Sequence, residues 1–566
     1  MVNKSFHIQS DLSPEPSLTA KLWSKKGIMT VTAIVIFIFF LLPVLRLVWQ
    51  SFQYNGQLSV AHYTTILSEA FTWNMLINTM WIVIGSTALS LFLGVFFAWI
   101  MAYTNFRGKK WINIFILLPF IIPSYIVTIA WTQFTKDIPF GTFNLYSLGG
   151  IAFLLGISHF PLVYLFTVNV LKRIPRELEW AVRASGGGKW KAFRVVTIPL
   201  ALPGIIGGGM IAFLSNLDNF GIPAFLGIPA NITVLSTAIF QEVIGFGENA
   251  FARAATLSVL LAFIALIVTG LQWLLLKKSK ATETSYVDEK PRIYLGKWRL
   301  ITEIVVWSIV LLFSVMPLLS MVKTSLVKTY GLPLSWETLT LYNYNFLIYD
   351  YNKVGDALQT STLLALGTAI ICTIVGTAIA YIRIRKATMF SKLIEMIVAI
   401  PYTLPGMVLA LAMILAWMEP ISGWNPGLYG SIWILLIAYV TRFMLLQVRG
   451  SSTAILQVSV DLEEAAHIAG ASQFVKWRTI LLPLFLPGII SGAILVILTA
   501  LTELTVSSLL WSSGAETIGV LIYNFEQAGY TTYSTAFSVI VLLYMAGLAG
   551  ILYSISLIIR RKEQLQ

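Results

Sequence analysis

Cysteine is nearly absent. Cys372, in Ile371-Cys372-Thr373, is the only one in the sequence, so no disulfide framework can form within this chain. In an apolar run it reads as a small buried side chain. Charge is scarce too: 11% of residues are Asp, Glu, Lys or Arg, against about 25% in soluble proteins, which excludes an ordinary water-soluble domain. The four histidines, His7, His62, His159 and His467, are scattered through unrelated segments. They show none of the spacing a metal centre or a Ser/His/Asp site needs. A phosphate-binding loop requires G-x-x-x-x-G-K-[ST], whose hydroxyl holds Mg²⁺. The nearest stretch, Gly186-Gly187-Gly188-Lys189, continues with Trp190 and lacks that hydroxyl. The polar stretches between apolar runs are all too short for an ATPase domain, so the chain is read as hydrolysing nothing itself.

What the sequence has in excess is apolar surface: 57% hydrophobic residues and a mean hydropathy of +0.81. A helix needs about 20 apolar residues to cross a bilayer. Runs of that kind fall near 28–50, 75–102, 111–134, 148–171, 198–221 and 254–277. A second set falls near 301–323, 357–382, 392–418, 428–448, 482–508 and 536–559. The predicted fold class is therefore an all-α polytopic membrane protein with 12 transmembrane helices in two six-helix halves.

The formal charge of +13 is a topology signal and does not call for nucleic acid. Arg107, Lys109 and Lys110 follow the second run; Lys172, Arg173, Arg176, Arg183, Lys189, Lys191 and Arg194 follow the fourth. Arg383, Arg385 and Lys386 follow the eighth, and Arg560, Arg561 and Lys562 the twelfth. Residues 51–74, 419–427 and 509–535, in alternate loops, hold no Lys or Arg. Positive residues stay on the cytoplasmic side, so both termini are expected there. The apolar run behind Met1–Gly27 is longer than a signal-peptide core and reads as an uncleaved first span.

The halves are repeats. Asp461-Leu462-Glu463-Glu464-Ala465-Ala466, then Gly470 and Leu482-Pro483, matches Arg176-Glu177-Leu178-Glu179-Trp180-Ala181-Val182, then Gly186 and Ile198-Pro199. Gly470 lies as far beyond Gly186 as Pro483 lies beyond Pro199. A nearly identical offset carries Pro119 and Pro123 onto Pro401 and Pro405, and Gly85 and Gly94 onto Gly367 and Gly376. Three segments result: a first half over 1–277, a polar linker over 278–300, expected to be flexible and cytoplasmic, and a second half over 301–566. The proline pairs predict kinks within spans three and nine, which a membrane tolerates where neighbours or water satisfy the freed carbonyls.

Each repeated tract reads as two short helices in a cytoplasmic loop. Glu463 to Ala469 favours a helix, Gly470 supplies a positive φ to end it, and Ser472 caps the next. Glu-Ala-Ala, three residues, Gly, then a hydrophobic-Pro step resembles the coupling loop of type I ABC importer permeases. The second tract fits in full. In the first, Trp180 replaces the motif's glutamate and Val182 its second alanine.

The resemblance implies that these loops dock on two cytoplasmic ABC ATPase subunits, through Glu177, Glu179, Ala181, Gly186 and Pro199 in one and Glu463, Glu464, Ala465, Ala466, Gly470 and Pro483 in the other. It also implies an extracytoplasmic substrate-binding protein, a prokaryotic plasma membrane location, and ATP with Mg on the partner subunits and no cofactor held directly. The fused form is similar to ferric-iron permeases. Leu217-Asp218-Asn219-Phe220-Gly221-Ile222-Pro223 resembles that family's Asp-Phe-Gly-x-Pro step, with Asn219 intervening, and Thr502-Glu503-Leu504-Thr505 its Glu-Leu-x-x-Thr step. On this resemblance Asp218, Glu503, Pro119, Pro123, Pro401 and Pro405 are candidates for the translocation pathway, the two acids as outward-facing groups. Thiamine, a polyamine or a phosphonate remain alternative substrates. An ion-coupled secondary transporter is the rival class, but it is expected to place ionisable residues in mid-span, and the sequence shows almost none.

Overall fold

The computed structural model describes residues 25–564, apart from 55–56, 138–142, 246, 248, 278–286, 420–422 and 424. Most of the polar stretch before the first span therefore lies outside the described residues. Among those described, ten helices are long and apolar enough to cross a membrane: Met29–Ser51, Ala70–Tyr103, Leu148–Leu171, Lys189–Asp218, Ala250–Lys277, Gly296–Ser325, Lys353–Arg385, Ile432–Gln457, Gln473–Leu501 and Thr531–Leu552. Two further helix pairs, Lys109–Ile121 with Ser124–Asp137 and Met389–Thr403 with Gly406–Trp417, bring the number to twelve when each pair is one span. Numbered in chain order, the bent pairs are spans 3 and 9.

Those two spans differ from expectation. The prolines do not kink a continuous helix but break it, with bends of 103° and 110°. Ile122 and Leu404 sit at the breaks in extended conformation, each just before a proline, as the clash with the proline ring requires. Pro119 and Pro401 lie inside the first half-helices.

Within each half the helices pack closely because small residues face their neighbours. Lipid tails are as apolar as leucine, so close van der Waals contact carries much of the association. A Cβ on Gly94 in span 2 would lie 2.5 Å from Val163 Cβ in span 4, and one on Gly450 in span 10 would lie 2.8 Å from Gly492 Cα in span 11. Gly85 meets nothing closer than 3.6 Å, so the repeat of glycines does not mark equal crowding. Cys372 is fully buried in span 8.

The halves exchange their first spans. The end of span 1, Leu42–Ser51, packs on Gly406–Trp417 of span 9, and the end of span 7, Met316–Ser325, packs on Ser124–Asp137 of span 3. Phe39 stacks on Trp417 at 5.4 Å between centroids, and Lys323 Nζ donates to Asp137 Oδ1 at 2.7 Å. Each broken span is thus braced by the other half.

The linker is less flexible than its composition suggests. Residues 278–286 lie outside the described residues, but 287–300 are fastened to the first half. Asp288 N–H donates to the Lys172 carbonyl at 2.8 Å, and the N–H groups of Arg292 and Ile293 both donate to the Tyr103 carbonyl. That segment is docked along the first half and is not a free tether.

Candidate functional site: a central cavity and two matched loops

A cavity of about 640 Å³ opens where the broken spans meet spans 4, 5, 6, 10 and 11. Pro119, Pro123, Pro405, Asp218 and Glu503 all line it, so residues from both halves and both breaks meet at one place. Pro401 is buried in the first half-helix of span 9, one residue before Tyr402, which faces the cavity. The sequence suggests two free acids on the outer side. Here they share a cation instead: Arg442 Nη2 donates to Asp218 Oδ2 at 2.7 Å, and Arg442 Nε lies 3.7 Å from Glu503 Oε2. Asp218 ends span 5, and its other oxygen accepts from Gly406 N–H, the first helical residue after the break in span 9. A carboxylate there satisfies an orphan donor and faces the positive end of the half-helix. Glu503 closes the turn beyond span 11 by accepting from Val506 N–H at 2.7 Å.

Sequence reasoning misses Arg442, although it lies within Ile432–Gln457, where an ionisable residue marks function by default. Its side chain is 10% exposed, and Nη1 is buried with no hydrogen-bond partner among the described residues. His159, one residue offset from the equivalent place in span 4, also lines the cavity. Its Nδ1 is 2.6 Å from Asn216 Oδ1, and the Asn216 amide nitrogen donates to Thr87 Oγ1. With Asn216 Oδ1 as acceptor, His159 Nδ1 is the donor of that bond. Among the described residues no three His, Cys, Asp or Glu side chains gather into a metal-holding group.

On the face carrying the basic loops, the helices Arg176–Ala184 and Asp461–Ile468 occupy matching positions. Each ends in the same hydrogen-bond pattern. Gly470 N–H donates to His467 O and Ala471 N–H to Ala466 O, while Gly186 N–H donates to Arg183 O and Gly187 N–H to Val182 O. That paired pattern requires a left-handed residue, and Gly186 and Gly470 have φ of +81° and +76°. Ser472 caps the next short helix by accepting from Val475 N–H at 3.3 Å. Pro199 and Pro483 are the second residues of the following helical segments, Ile198–Asp218 and Leu482–Leu501.

The loop carboxylates divide by direction. Glu177 and Glu464 are exposed, as are Ala181 and Ala465, whereas Ala466 is buried. Glu463 turns inward, accepting from Tyr381 Oη at 2.7 Å, Arg385 Nε at 2.8 Å and Lys476 Nζ at 3.2 Å. Burial pushes its pKa up, but donation from Tyr381, Lys476 and Arg385 outweighs that and holds the carboxyl below its ordinary value. Glu179 turns inward in the same way, toward Tyr103, Thr197 and Arg292. Outward from these helices stand Trp180, Trp190, Ile468 and Phe474, each more than half exposed.

A family model for binding-protein-dependent transport system inner membrane components matches residues 90–280 and again 372–563. An Fe(3+)-transport system permease protein of Haemophilus influenzae is 24% identical over 83% of this chain and 87% of its own length. A ferric transport system permease protein of Actinobacillus pleuropneumoniae is 23% identical over 92% of this chain and 77% of its own length. A molybdenum transport system permease protein of Escherichia coli aligns over 93% of its length with only 36% of this chain, at 28% identity. A permease built from one such unit thus corresponds to half of this polypeptide. With two matched units covering more than half of its residues, the chain belongs to the family of binding-protein-dependent transport system inner membrane components, as a multi-pass ABC importer permease with both halves fused.

Proposed function

We propose that this chain forms the whole membrane pathway of an importer for ferric iron, with an ATPase subunit seated on each of the two matched loops. The observation that carries the reading is a cavity walled by both halves, with both broken spans opening into it. A pathway needs two halves that tilt against each other, and the exchanged first spans give each half a brace on the other. On this reading the basic face and both termini are cytoplasmic, ATP and Mg bind only to the ATPase subunits, and a binding protein delivers substrate to the opposite face.

The relatives named for ferric iron support the substrate. So does the cavity, where two carboxylates face one guanidinium. Fe³⁺ is a hard cation that prefers oxygen ligands, and a sparse donor set favours passage over retention. A second reading has its own observation: Arg442 Nη1, with no partner among the described residues, suits an anion. Mass measurement of the purified complex tests the assembly, with one copy of this chain and two ATPase subunits as the expected result. Two copies per ATPase pair would overturn it.

A further inference from the structure

Glu179 and Glu463 are equivalent in the repeat, at the same offset as Gly186 and Gly470. Each is held by an arginine, but the two arginines come from different parts of the chain. Arg385 closes span 8; its Nε donates to Glu463 and its Nη2 to the Val458 carbonyl at 2.7 Å. At the offset that relates Gly94 to Gly376, the first-half counterpart of Arg385 is Tyr103, which carries no charge. Arg292 fills the gap from the linker. Its Nη1 donates to Glu179 Oε1 at 2.8 Å, and its Nη2 donates to the Ile174 carbonyl. Ile174 is the counterpart of Val458 at the loop offset, so the two guanidinium groups make the same pair of contacts. Arg292 also lies over the Tyr103 ring at 4.7 Å and is 7% exposed. Asp288 braces it at 3.3 Å while pairing with Arg176 at the start of the loop helix.

We propose that Arg292 is a positioning residue, supplied by the linker, which sets the first loop helix in the orientation that Arg385 sets for the second. The linker is on this account part of the coupling machinery. Span 7 begins at Gly296, so the first loop is tied to the start of the second half by a short connection. The inference rests on the reading that both loops contact ATPase subunits.

The chain's lone cysteine is buried, so introduced cysteines can report each loop separately. Ala184→Cys and Ile468→Cys are equivalent exposed positions, one per loop helix. Cross-linking of each to the ATPase subunit is compared between the wild-type background and Arg292→Gln, together with substrate moved per ATP hydrolysed. The expected result is a loss of roughly tenfold or more at position 184, the population change of one charge-assisted hydrogen bond, with position 468 unchanged and less transport per ATP. Adding Tyr103→Arg to Arg292→Gln, which places the guanidinium as in the second half, is expected to restore cross-linking at 184. Equal cross-linking at 184 in both backgrounds overturns the proposal, and so does an equal loss at both loops. Absence of cross-links at either position in the wild-type background would instead refute the ATPase-contact reading, and the positioning role with it.

Discussion

Neutralising both cavity acids, Asp218→Asn with Glu503→Gln, is expected to destabilise the protein before it says anything about transport. Arg442 is 10% exposed, and among the described residues its charge is met by Asp218 at 2.7 Å and Glu503 at 3.7 Å. Asp218→Asn alone leaves Glu503 as counter-charge, so the loss is that of a charge-assisted hydrogen bond, about 1.5–3 kcal/mol. The double variant leaves a buried cation unpaired, which costs about 3–5 kcal/mol, a large part of a folded domain's stability of about 5–15 kcal/mol. Adding Arg442→Met removes the charge as well as its partners, an exchange that is often neutral. The assay is thermal unfolding of the three variants in detergent, followed by iron uptake in liposomes. The double variant is expected to unfold well below the wild type and the triple variant to recover. Wild-type unfolding of the double variant would refute the claim that these acids neutralise Arg442. If the recovered triple variant takes up iron at the wild-type rate, the acids serve the fold and not the substrate.

Gly470→Val is expected to cost about 1–2 kcal/mol from backbone strain alone, because a Cβ there meets nothing within 4 Å. Transport should fall steeply while membrane insertion is normal, Gly186→Val should behave similarly, and Gly470→Asn, which tolerates positive φ, should be milder; uptake assays on the three variants check this. Glu463 and Asp288 both have pKa values held below the ordinary carboxylate range. For such groups stability is complete above the unfolded value of about 4 and is lost as pH falls through the lower, folded one. Hydrogen-exchange protection of 461–468 and 287–293, taken relative to the intrinsic rate at each pH, is therefore expected to be unchanged from pH 8 to about 5 and to fall only below about 4. Gly94→Ala should lower the unfolding temperature far more than Gly85→Ala, since only the first drives a Cβ into Val163.

Much of this architecture is legible in the sequence because periodic apolar runs and basic loops are local signals. The matched loop helices are readable for the same reason: their Gly186 and Gly470 ends follow from φ, which a run of helix formers followed by glycine announces. The proline pairs announce kinks but not their size, since a bend above 100° depends on what packs on each side. Pairing is the main thing a sequence hides. Nothing near Asp218 in sequence points to Arg442, on a span of the other half, and nothing near Glu179 points to Arg292. The linker reads as flexible because its composition is polar, yet polar residues hold it down through Tyr103, Glu179 and Arg176. His159 reads as an isolated histidine, and only the fold brings it to the cavity.

The central claim is that this chain carries ferric iron through the cavity between its halves under the drive of partner ATPases. Uptake of radioactive iron into liposomes holding the chain and its ATPase, with the iron-loaded binding protein on the face opposite the ATPase and ATP on the ATPase side, tests it most directly. The account predicts iron accumulation that needs both ATP and the binding protein. No iron uptake, with ATP-driven accumulation of molybdate, a phosphonate, a polyamine or thiamine in its place, would contradict it.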